Sequence, residues 1–262
     1  MPTLVTEQGI VHYEAYGRGR PVLLLHGWLG SWALWRNTIE ILGQEFRTYA
    51  LDFFGFGESQ DKSANFSVDN YVHSVDQFMD RLGIVKAPLI GHSMGGTVSL
   101  GAAIRHAERV VKVVVIGSPI QGKSLNLLLK LSGYKGIARL IWTTPALLKL
   151  FMRGYAHFIA ADGNRVGKML VEDIAKISPN SFCQSIRTLR QTDLSDQLYP
   201  ITIPVLGIYG QKDVIVSPKQ SAVLQQYLPH SQIAWFEKSG HFPMMDEPDR
   251  FHATVREFLR NG

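Results

Sequence analysis

The sequence predicts an α/β core in which a mostly parallel β-sheet carries helices on both faces and a helical cap is inserted. Short apolar runs alternate with amphipathic stretches between residues 22 and 116, as in successive βαβ units. The same alternation returns after residue 203. Between these two regions, Leu, Ile and aromatic residues recur at helical spacing, which predicts several short helices.

The strands of the predicted sheet are short apolar runs bounded by turn residues. They cover residues 10–16, 22–26, 47–51, 88–91, 112–117, 203–209 and 232–236. Helices are predicted where apolar residues recur every three or four positions, over residues 68–82, 97–107, 218–228 and 248–259. Ser67 and Ser217 precede two of these helices, and we expect them to cap the helix N-termini.

These elements divide the chain into an α/β core, residues 1–118 and 191–262, and a helical cap, residues 119–190. At 262 residues with 45% apolar side chains, the chain is long enough to bury a substantial core. The apolar helical stretch of the cap is broken at Gly133, Gly136 and Pro145. A cap over the carboxyl edge of the sheet is expected to enclose a pocket there.

The net charge of +5 arises in the predicted cap. Residues 120–190 hold 11 Lys and Arg against 3 Asp and Glu, whereas the rest of the chain holds 16 against 19. The cations include Lys123, Lys130, Lys135, Arg139, Lys149 and Arg153. We interpret them as solvated faces of amphipathic helices, with attraction of anionic substrates or contact with an anionic membrane as alternatives. No nucleic-acid-binding motif accompanies them, so nucleic acid is not an expected partner.

A single cysteine, Cys183, excludes a disulfide scaffold or a multi-cysteine metal site within the chain. Residues 1–7 lack a basic stretch followed by an apolar run, and no window approaches the roughly 18 uninterrupted apolar residues that span a bilayer. We therefore predict a cytoplasmic protein. Neither a Gly-rich dinucleotide fingerprint, a P-loop nor a paired metal-ligand motif occurs, so no cofactor or metal is expected.

The sequence Gly-His-Ser-Met-Gly-Gly at residues 91–96 follows an apolar strand and precedes a helix. Gly-x-Ser-x-Gly in that setting is typical of a nucleophile elbow, a sharp turn that lifts the serine hydroxyl above the sheet. The glycines are required because side chains there would collide with the neighbouring strand or helix. We predict that Ser93 is a nucleophile rather than an ordinary helix-capping serine.

A serine hydroxyl is a poor nucleophile near neutral pH, so it needs a base, and the base needs an orienting acid. In the usual chain order of this motif, the acid and then the base follow the serine. Asp213 and His241 each lie just beyond a predicted strand and are the predicted acid and base. Asp193 and Asp196, near the junction of core and cap, are alternative acids. His92 adjoins the nucleophile and is expected to point away from it.

With these motifs, the chain resembles the α/β-hydrolase superfamily over nearly the whole core. Four separated signatures carry the resemblance: residues 26–28 (His-Gly-Trp), residues 52–59, the elbow at Ser93, and the Asp213 and His241 loops. The resemblance is to esterases, cofactor-free perhydrolases or haloperoxidases, and carbon–carbon bond hydrolases with a helical cap. The dehalogenase and epoxide-hydrolase branches use aspartate at the elbow, so Ser93 disfavours them.

The resemblance implies an oxyanion hole formed by the backbone N–H groups of Trp28 and Met94. Residues 52–59 are interpreted as a tight turn in which Asp52 binds local backbone, with no catalytic role. The carbon–carbon bond hydrolases carry a tryptophan directly after the catalytic histidine, where this chain has Phe242. That difference disfavours this branch.

We predict a serine hydrolase of the carboxylesterase type that cleaves an ester or related activated carbonyl through an acyl-enzyme on Ser93. The expected substrate is a small, largely apolar ester, and an anionic one is the alternative that the basic cap suggests. Perhydrolase, haloperoxidase and carbon–carbon bond hydrolase activities use the same residues and stay open. From a different class, a small-molecule receptor with slow turnover also stays open, because fold does not fix function.

Overall fold

The computed structural model describes residues 2–61, 65–127, 129 and 145–261. Three of the predicted cap cations, Lys130, Lys135 and Arg139, lie outside the described residues. The predicted helix breaks at Gly133 and Gly136 lie outside them as well.

The described residues form one sheet of nine strands. In chain order the strands are β1 (Thr3–Val5), β2 (Gly9–Tyr16), β3 (Pro21–Leu25), β4 (Arg47–Leu51), β5 (Gln60–Asp61), β6 (Ala87–His92), β7 (Val110–Ile116), β8 (Val205–Gly210) and β9 (Gln232–Phe236). The order across the sheet is β1-β2-β4-β3-β6-β7-β8-β9, and β5 pairs with β2. All pairs from β4 to β9 are parallel, whereas β2 pairs antiparallel with its neighbours. The predicted mostly parallel sheet is confirmed.

The central strands are covered on both faces. Residues 22–25 of β3 and 113–116 of β7 are all buried, although successive side chains of a strand point to opposite faces. This continuous burial is typical of a parallel sheet with helices on both sides. β8 begins at Val205, two residues later than predicted, because Pro204 has no N–H to give to the ladder and contributes its carbonyl to Val113 instead.

Helices connect and flank the strands. In chain order they are α1 (Arg36–Leu42), α2 (Val68–Arg81), α3 (Met94–Arg105), α4 (Pro145–Ile159), α5 (Gly163–Ile174), α6 (Pro179–Gln191), α7 (Gln220–Tyr227), α8 (Pro243–Asp246) and α9 (Pro248–Arg260). Ser67 caps α2 as predicted, accepting the N–H of Asn70 at 3.2 Å. The predicted cap at Ser217 is wrong, because residues 217–219 form a turn and α7 begins only at Gln220.

Helices α4, α5 and α6 lie between β7 and β8 along the chain, which is where the sequence predicts helices. Asp162 caps α5, and a reciprocal pair of Ser178 and Ser181 caps α6. The exact division into core and cap at residues 118 and 190 stays a prediction. Within the described ranges, no helix is long and apolar enough to cross a membrane.

Candidate active site

Ser93 occupies a strained turn between β6 and α3. Its φ of 51° and ψ of −117° place the backbone in a region that residues other than glycine rarely adopt, at a cost of about 1–2 kcal/mol. The Ser93 N–H donates to the Ile116 carbonyl on β7 at 2.8 Å. The neighbouring strand therefore helps to hold the turn.

The flanking glycines allow the strand and the helix to approach closely. A Cβ at Gly91 would lie 2.2 Å from the carbonyl oxygen of Gly95, and a Cβ at Gly95 would lie 2.2 Å from the carbonyl oxygen of Leu25. Both contacts are with backbone, which cannot rotate away. The turn thus tolerates no side chain at either position, for the reason expected of a nucleophile elbow.

Asp213 and His241 form a buried pair on the loops that follow β8 and β9. His241 Nδ1 lies 2.7 Å from Asp213 Oδ2, and both side chains are almost completely buried. The other carboxylate oxygen, Asp213 Oδ1, accepts the N–H groups of Ile215 at 2.8 Å and Val216 at 3.0 Å. Because an ionised carboxylate only accepts hydrogen bonds, Nδ1 carries the imidazole proton and Nε2 is left as an acceptor.

The two alternative acids lie elsewhere. Asp193 is exposed and its Oδ1 accepts the N–H and the hydroxyl of Ser195, at 3.0 and 2.6 Å. Asp196 is an exposed residue of a short 3-10 turn. The structure therefore pairs His241 with Asp213.

Two residues beside this pair have contacts that the sequence analysis did not predict: Gly117, which it did not name, and His92, which it only expected to point away from the nucleophile. Gly117 follows β7 with a φ of 52°, and a Cβ there would lie 3.1 Å from both Asp213 Oδ2 and His241 Nδ1. The ring of His92 packs against the ring of His241, and its Nε2 lies 2.8 Å from the His241 carbonyl oxygen. Burial lowers the pKa of His92 well below its usual value, and the nearby His241 lowers it further, so His92 is neutral. No spacing in the sequence connects residue 92 or 117 with residue 241.

The loop at residues 26–30 is held by a network of buried polar groups. His26 Nε2 accepts the Phe53 N–H at 2.9 Å, and His26 Nδ1 lies 2.7 Å from the Gly27 carbonyl oxygen. Burial lowers the pKa of His26, which keeps the imidazole neutral for these two bonds. As predicted, Asp52 binds local backbone, because it accepts the N–H groups of Trp32 at 2.6 Å and Glu58 at 2.9 Å.

The two predicted backbone donors lie in this loop and at the start of α3. Within the described part of the chain, no acceptor binds the N–H of Trp28 or Met94. The indole of Trp28 is anchored on α6, because Nε1 donates to Ser185 Oγ at 3.0 Å and the ring packs against Phe182. The loop is therefore fixed from both sides, by the core and by α6.

Ser93 and His241 line a cavity of about 380 Å³. Helices α4, α5 and α6 supply much of its wall, with residues such as Leu148, Met152, Leu170 and Ile186. None of the described lining residues is charged. Of the six cap cations named above, the three described ones, Lys123, Lys149 and Arg153, are exposed to solvent, the last two on α4. The cavity fits a small apolar group.

The family model for the alpha/beta hydrolase fold matches residues 20–248 of the chain. The chain belongs to the α/β-hydrolase family. It is 29% identical over 271 residues to a pimeloyl-[acyl-carrier protein] methyl ester esterase of Vibrio parahaemolyticus, which covers 96% of this chain and 98% of the relative.

Solved structures of this family have the same fold. A meta-cleavage product hydrolase from Pseudomonas fluorescens is 27% identical, with a TM-score of 0.84 over 99% of this chain and 97% of the other. A bromoperoxidase from Bacillus anthracis is 20% identical, with a TM-score of 0.81 over 97% and 96% of the two chains, and this likeness shows the fold alone. The predicted carboxylesterase-like α/β-hydrolase is confirmed by these comparisons.

Proposed function

We propose that this α/β-hydrolase is a carboxylesterase that works through an acyl-enzyme on Ser93, with His241 as base and Asp213 as orienting acid. The observation that carries the proposal is the buried 2.7 Å hydrogen bond between His241 and Asp213 beside the cavity that Ser93 lines. It supplies an oriented imidazole that lines the same cavity as a serine held in a strained elbow, and activation of a hydroxyl requires such a base.

In the first step, His241 Nε2 takes the proton of Ser93 Oγ as the oxygen attacks the ester carbonyl carbon. Asp213 keeps the proton of His241 on Nδ1 and stabilises the imidazolium that forms. The two backbone bonds to Asp213 Oδ1 keep the carboxylate in place throughout. His241 then gives its proton to the leaving alkoxide oxygen, the carbon–oxygen bond breaks, and an acyl group remains on Ser93.

The negative charge that develops on the carbonyl oxygen needs preorganised donors. The N–H groups of Trp28 and Met94 are proposed for this role, which their lack of protein acceptors supports. Loss of one such donor typically raises the barrier by about 3 kcal/mol. In the second half-reaction, water gives a proton to His241 and attacks the acyl carbon, and the proton returns to Ser93 as the acid leaves.

The apolar lining of the cavity favours an ester substrate whose enclosed part is apolar and uncharged. Its lining lacks a charged side chain among the described residues, so a carboxylate placed inside would be desolvated without a partner. The similar Vibrio protein is named as an esterase of a methyl ester on an acyl chain. Methyl esters of medium-length acyl chains are therefore the substrates to test first. The cytoplasmic location stays a prediction.

Carbon–carbon bond hydrolysis is the second candidate, because the meta-cleavage product hydrolase is 27% identical over nearly the whole chain. The same three residues would act on a vinylogous diketone. The residue after His241 is Phe242, where that branch carries tryptophan, and this difference favours the ester. Parallel assays of esters and diketones with one enzyme preparation distinguish the two reactions.

The experiment that tests the proposal is Ser93→Ala with a fluorophosphonate label and a methyl-ester assay. The variant is expected to lose the label and to lose turnover by several orders of magnitude, because only the donors and substrate binding remain. The matched control is Ser99→Ala, because Ser99 is a buried serine on the helix α3 that follows Ser93 and its hydroxyl donates to the Gly95 carbonyl; this variant is expected to keep both the label and turnover.

Normal labelling or turnover in Ser93→Ala would contradict the proposal. Stoichiometric labelling of the unmodified protein with almost no turnover on any ester would favour the slow receptor instead.

A further inference from the structure

Tyr155 on α4 lines the cavity, and among the described lining residues it is the one hydroxyl-bearing side chain without a role in the proposed triad. Apart from Ser93 and His241, only Tyr155 and Trp28 carry an O–H or N–H side-chain group among these residues. The Trp28 indole is already bonded to α6. The phenol of Tyr155 is therefore the group that remains for substrate.

Asn126 holds the Tyr155 oxygen in place. Asn126 Nδ2 donates to Tyr155 Oη at 3.1 Å and to the Val214 carbonyl at 3.0 Å, and its Oδ1 accepts the Leu129 N–H at 2.9 Å. The backbone N–H of Asn126 donates to the Ile215 carbonyl at 3.0 Å. Val214 and Ile215 follow Asp213 directly, so the phenol is tied to the loop that carries the proposed acid.

The phenol keeps its own proton for another partner. It accepts from Asn126, and within the described part of the chain no group accepts its hydrogen. Burial raises the pKa of Tyr155, so the hydroxyl is protonated and a donor near neutral pH. The Tyr155 ring also stacks on Phe151, with 5.6 Å between centroids and 11° between planes. The position, orientation and protonation state of the Tyr155 phenol are thus all fixed before the substrate enters.

We propose that the Tyr155 hydroxyl donates a hydrogen bond to an acceptor oxygen in the otherwise apolar part of the substrate that the cavity encloses. The inference rests on the proposed esterase function and narrows its substrate class to esters with a second oxygen, as an ether, ketone or alcohol. Apolar walls discriminate weakly between similar alkyl groups, whereas a fixed donor that the substrate covers is left unpaired when the substrate lacks the oxygen. Tyr155 is accordingly a specificity-determining residue.

The experiment compares matched esters in which one methylene of the enclosed chain is replaced by an ether oxygen, at each position in turn. The unmodified enzyme is expected to prefer the oxygen at one position by about 2- to 13-fold in kcat/KM, the range of one net hydrogen bond. Tyr155→Phe is expected to abolish that preference, because it lowers kcat/KM for the oxygen ester more than for the all-methylene ester. The preference is the ratio of two kcat/KM values measured on the same variant. The fraction of folded enzyme therefore cancels, and a partly unfolded preparation gives the same ratio.

Two further variants sharpen the result. In Asn126→Asp, a carboxylate oxygen replaces the amide nitrogen beside Tyr155 and accepts the hydrogen bond of the phenol O–H, so the preference should fall although the phenol is still present. Tyr199→Phe, a fully conservative change at an exposed tyrosine outside the cavity, should leave the preference unchanged.

An enzyme without an oxygen preference at any position would overturn the inference, and so would a preference that survives Tyr155→Phe. Equal losses on the oxygen and methylene esters would overturn it as well, because they indicate a packing role. Failure of the esterase proposal is seen separately, as turnover that survives Ser93→Ala.

Discussion

His92 donates a hydrogen bond from Nε2 to the main-chain carbonyl of His241 at 2.8 Å, and the two ring centroids lie 4.6 Å apart. The residue before the elbow serine thereby holds the backbone of the proposed base. The ring fits because Gly27 has no side chain: a Cβ there would lie 2.8 Å from His92 Nδ1. His92 thus lies between the loop at residues 26–30 and the loop of His241.

We expect His92 to be a positioning residue. His92→Leu removes the donor to the His241 carbonyl and should lower kcat by about 10- to 100-fold, the cost of a displaced catalytic group, with KM changed less than threefold. His92→Gln, which keeps a donor, should recover part of the loss. Steady-state kinetics with one ester measures the effects of each variant on kcat and on KM separately.

The control for His92 is His230→Leu, because His230 Nε2 also binds a backbone carbonyl, that of Ile203 at 3.2 Å, but at an exposed site outside the cavity. This variant should retain full kcat. An unchanged kcat in His92→Leu would show that the hydrogen bond to His241 is structural only.

Asp213→Asn should leave the fold intact and lower the rate by up to about 10⁴-fold. An amide nitrogen facing His241 Nδ1 favours the wrong imidazole tautomer and removes the charge that stabilises the imidazolium. Asp193→Asn is the control, since that carboxylate binds Ser195 instead. Rates on one ester, together with circular dichroism, check the expectation. A larger loss in Asp193→Asn would contradict the assignment of the acid.

Gly117→Ala tests whether catalysis needs the space that Gly117 leaves beside the Asp213–His241 pair. The new Cβ would lie 3.1 Å from both partner atoms, so we expect the pair to shift and kcat to fall at least tenfold. Gly83→Ala is a matched control, because Gly83 also has a positive φ, of 66°, with nothing within 4 Å of the new Cβ. Each variant should lose about 1–2 kcal/mol of stability from backbone strain. Equal activity in the two would contradict the role of Gly117.

Asp173 on α5 should make stability depend on pH. Its Oδ1 accepts the Ser31 hydroxyl at 2.7 Å, and its Oδ2 is buried without a partner among the described groups. Burial raises the pKa of Asp173 to about 7, and the charge of Asp52 contributes to the rise. Between the unfolded pKa near 4 and pH 7, the folded state holds a proton that the unfolded state has lost.

The free energy of unfolding should therefore fall as pH rises through that window and level off above pH 7. Asp173→Asn lacks this titration, so its stability advantage over the unmodified protein should grow between pH 4 and pH 8, by up to about 4 kcal/mol. Urea unfolding at several pH values measures it. Glu172→Gln, at the exposed neighbouring position, is the control. A constant difference across pH would contradict the buried titration.

Much of the fold followed from local patterns in the sequence. Strands at residues 47–51 and 232–236 lie where alternating apolar runs predicted them, and α9 starts at the predicted Pro248. Such elements can be predicted because short apolar runs bounded by turn residues are typical of strands and because proline favours the first turn of a helix. The short strands β1 and β5 were not predicted, since two or three residues show no periodicity.

The sequence by itself determined the family and identified Ser93, Asp213 and His241 as candidate catalytic residues. A strand–turn–helix motif and the order of its partners along the chain can both be seen in the sequence. Only the tertiary structure decided what surrounds them. The hydrogen bonds of His92 to His241 and of Asn126 to Tyr155 join residues 149 and 29 positions apart. Contacts at such separations depend on how loops from different strands meet at one sheet edge, and neither residue type nor spacing records that geometry.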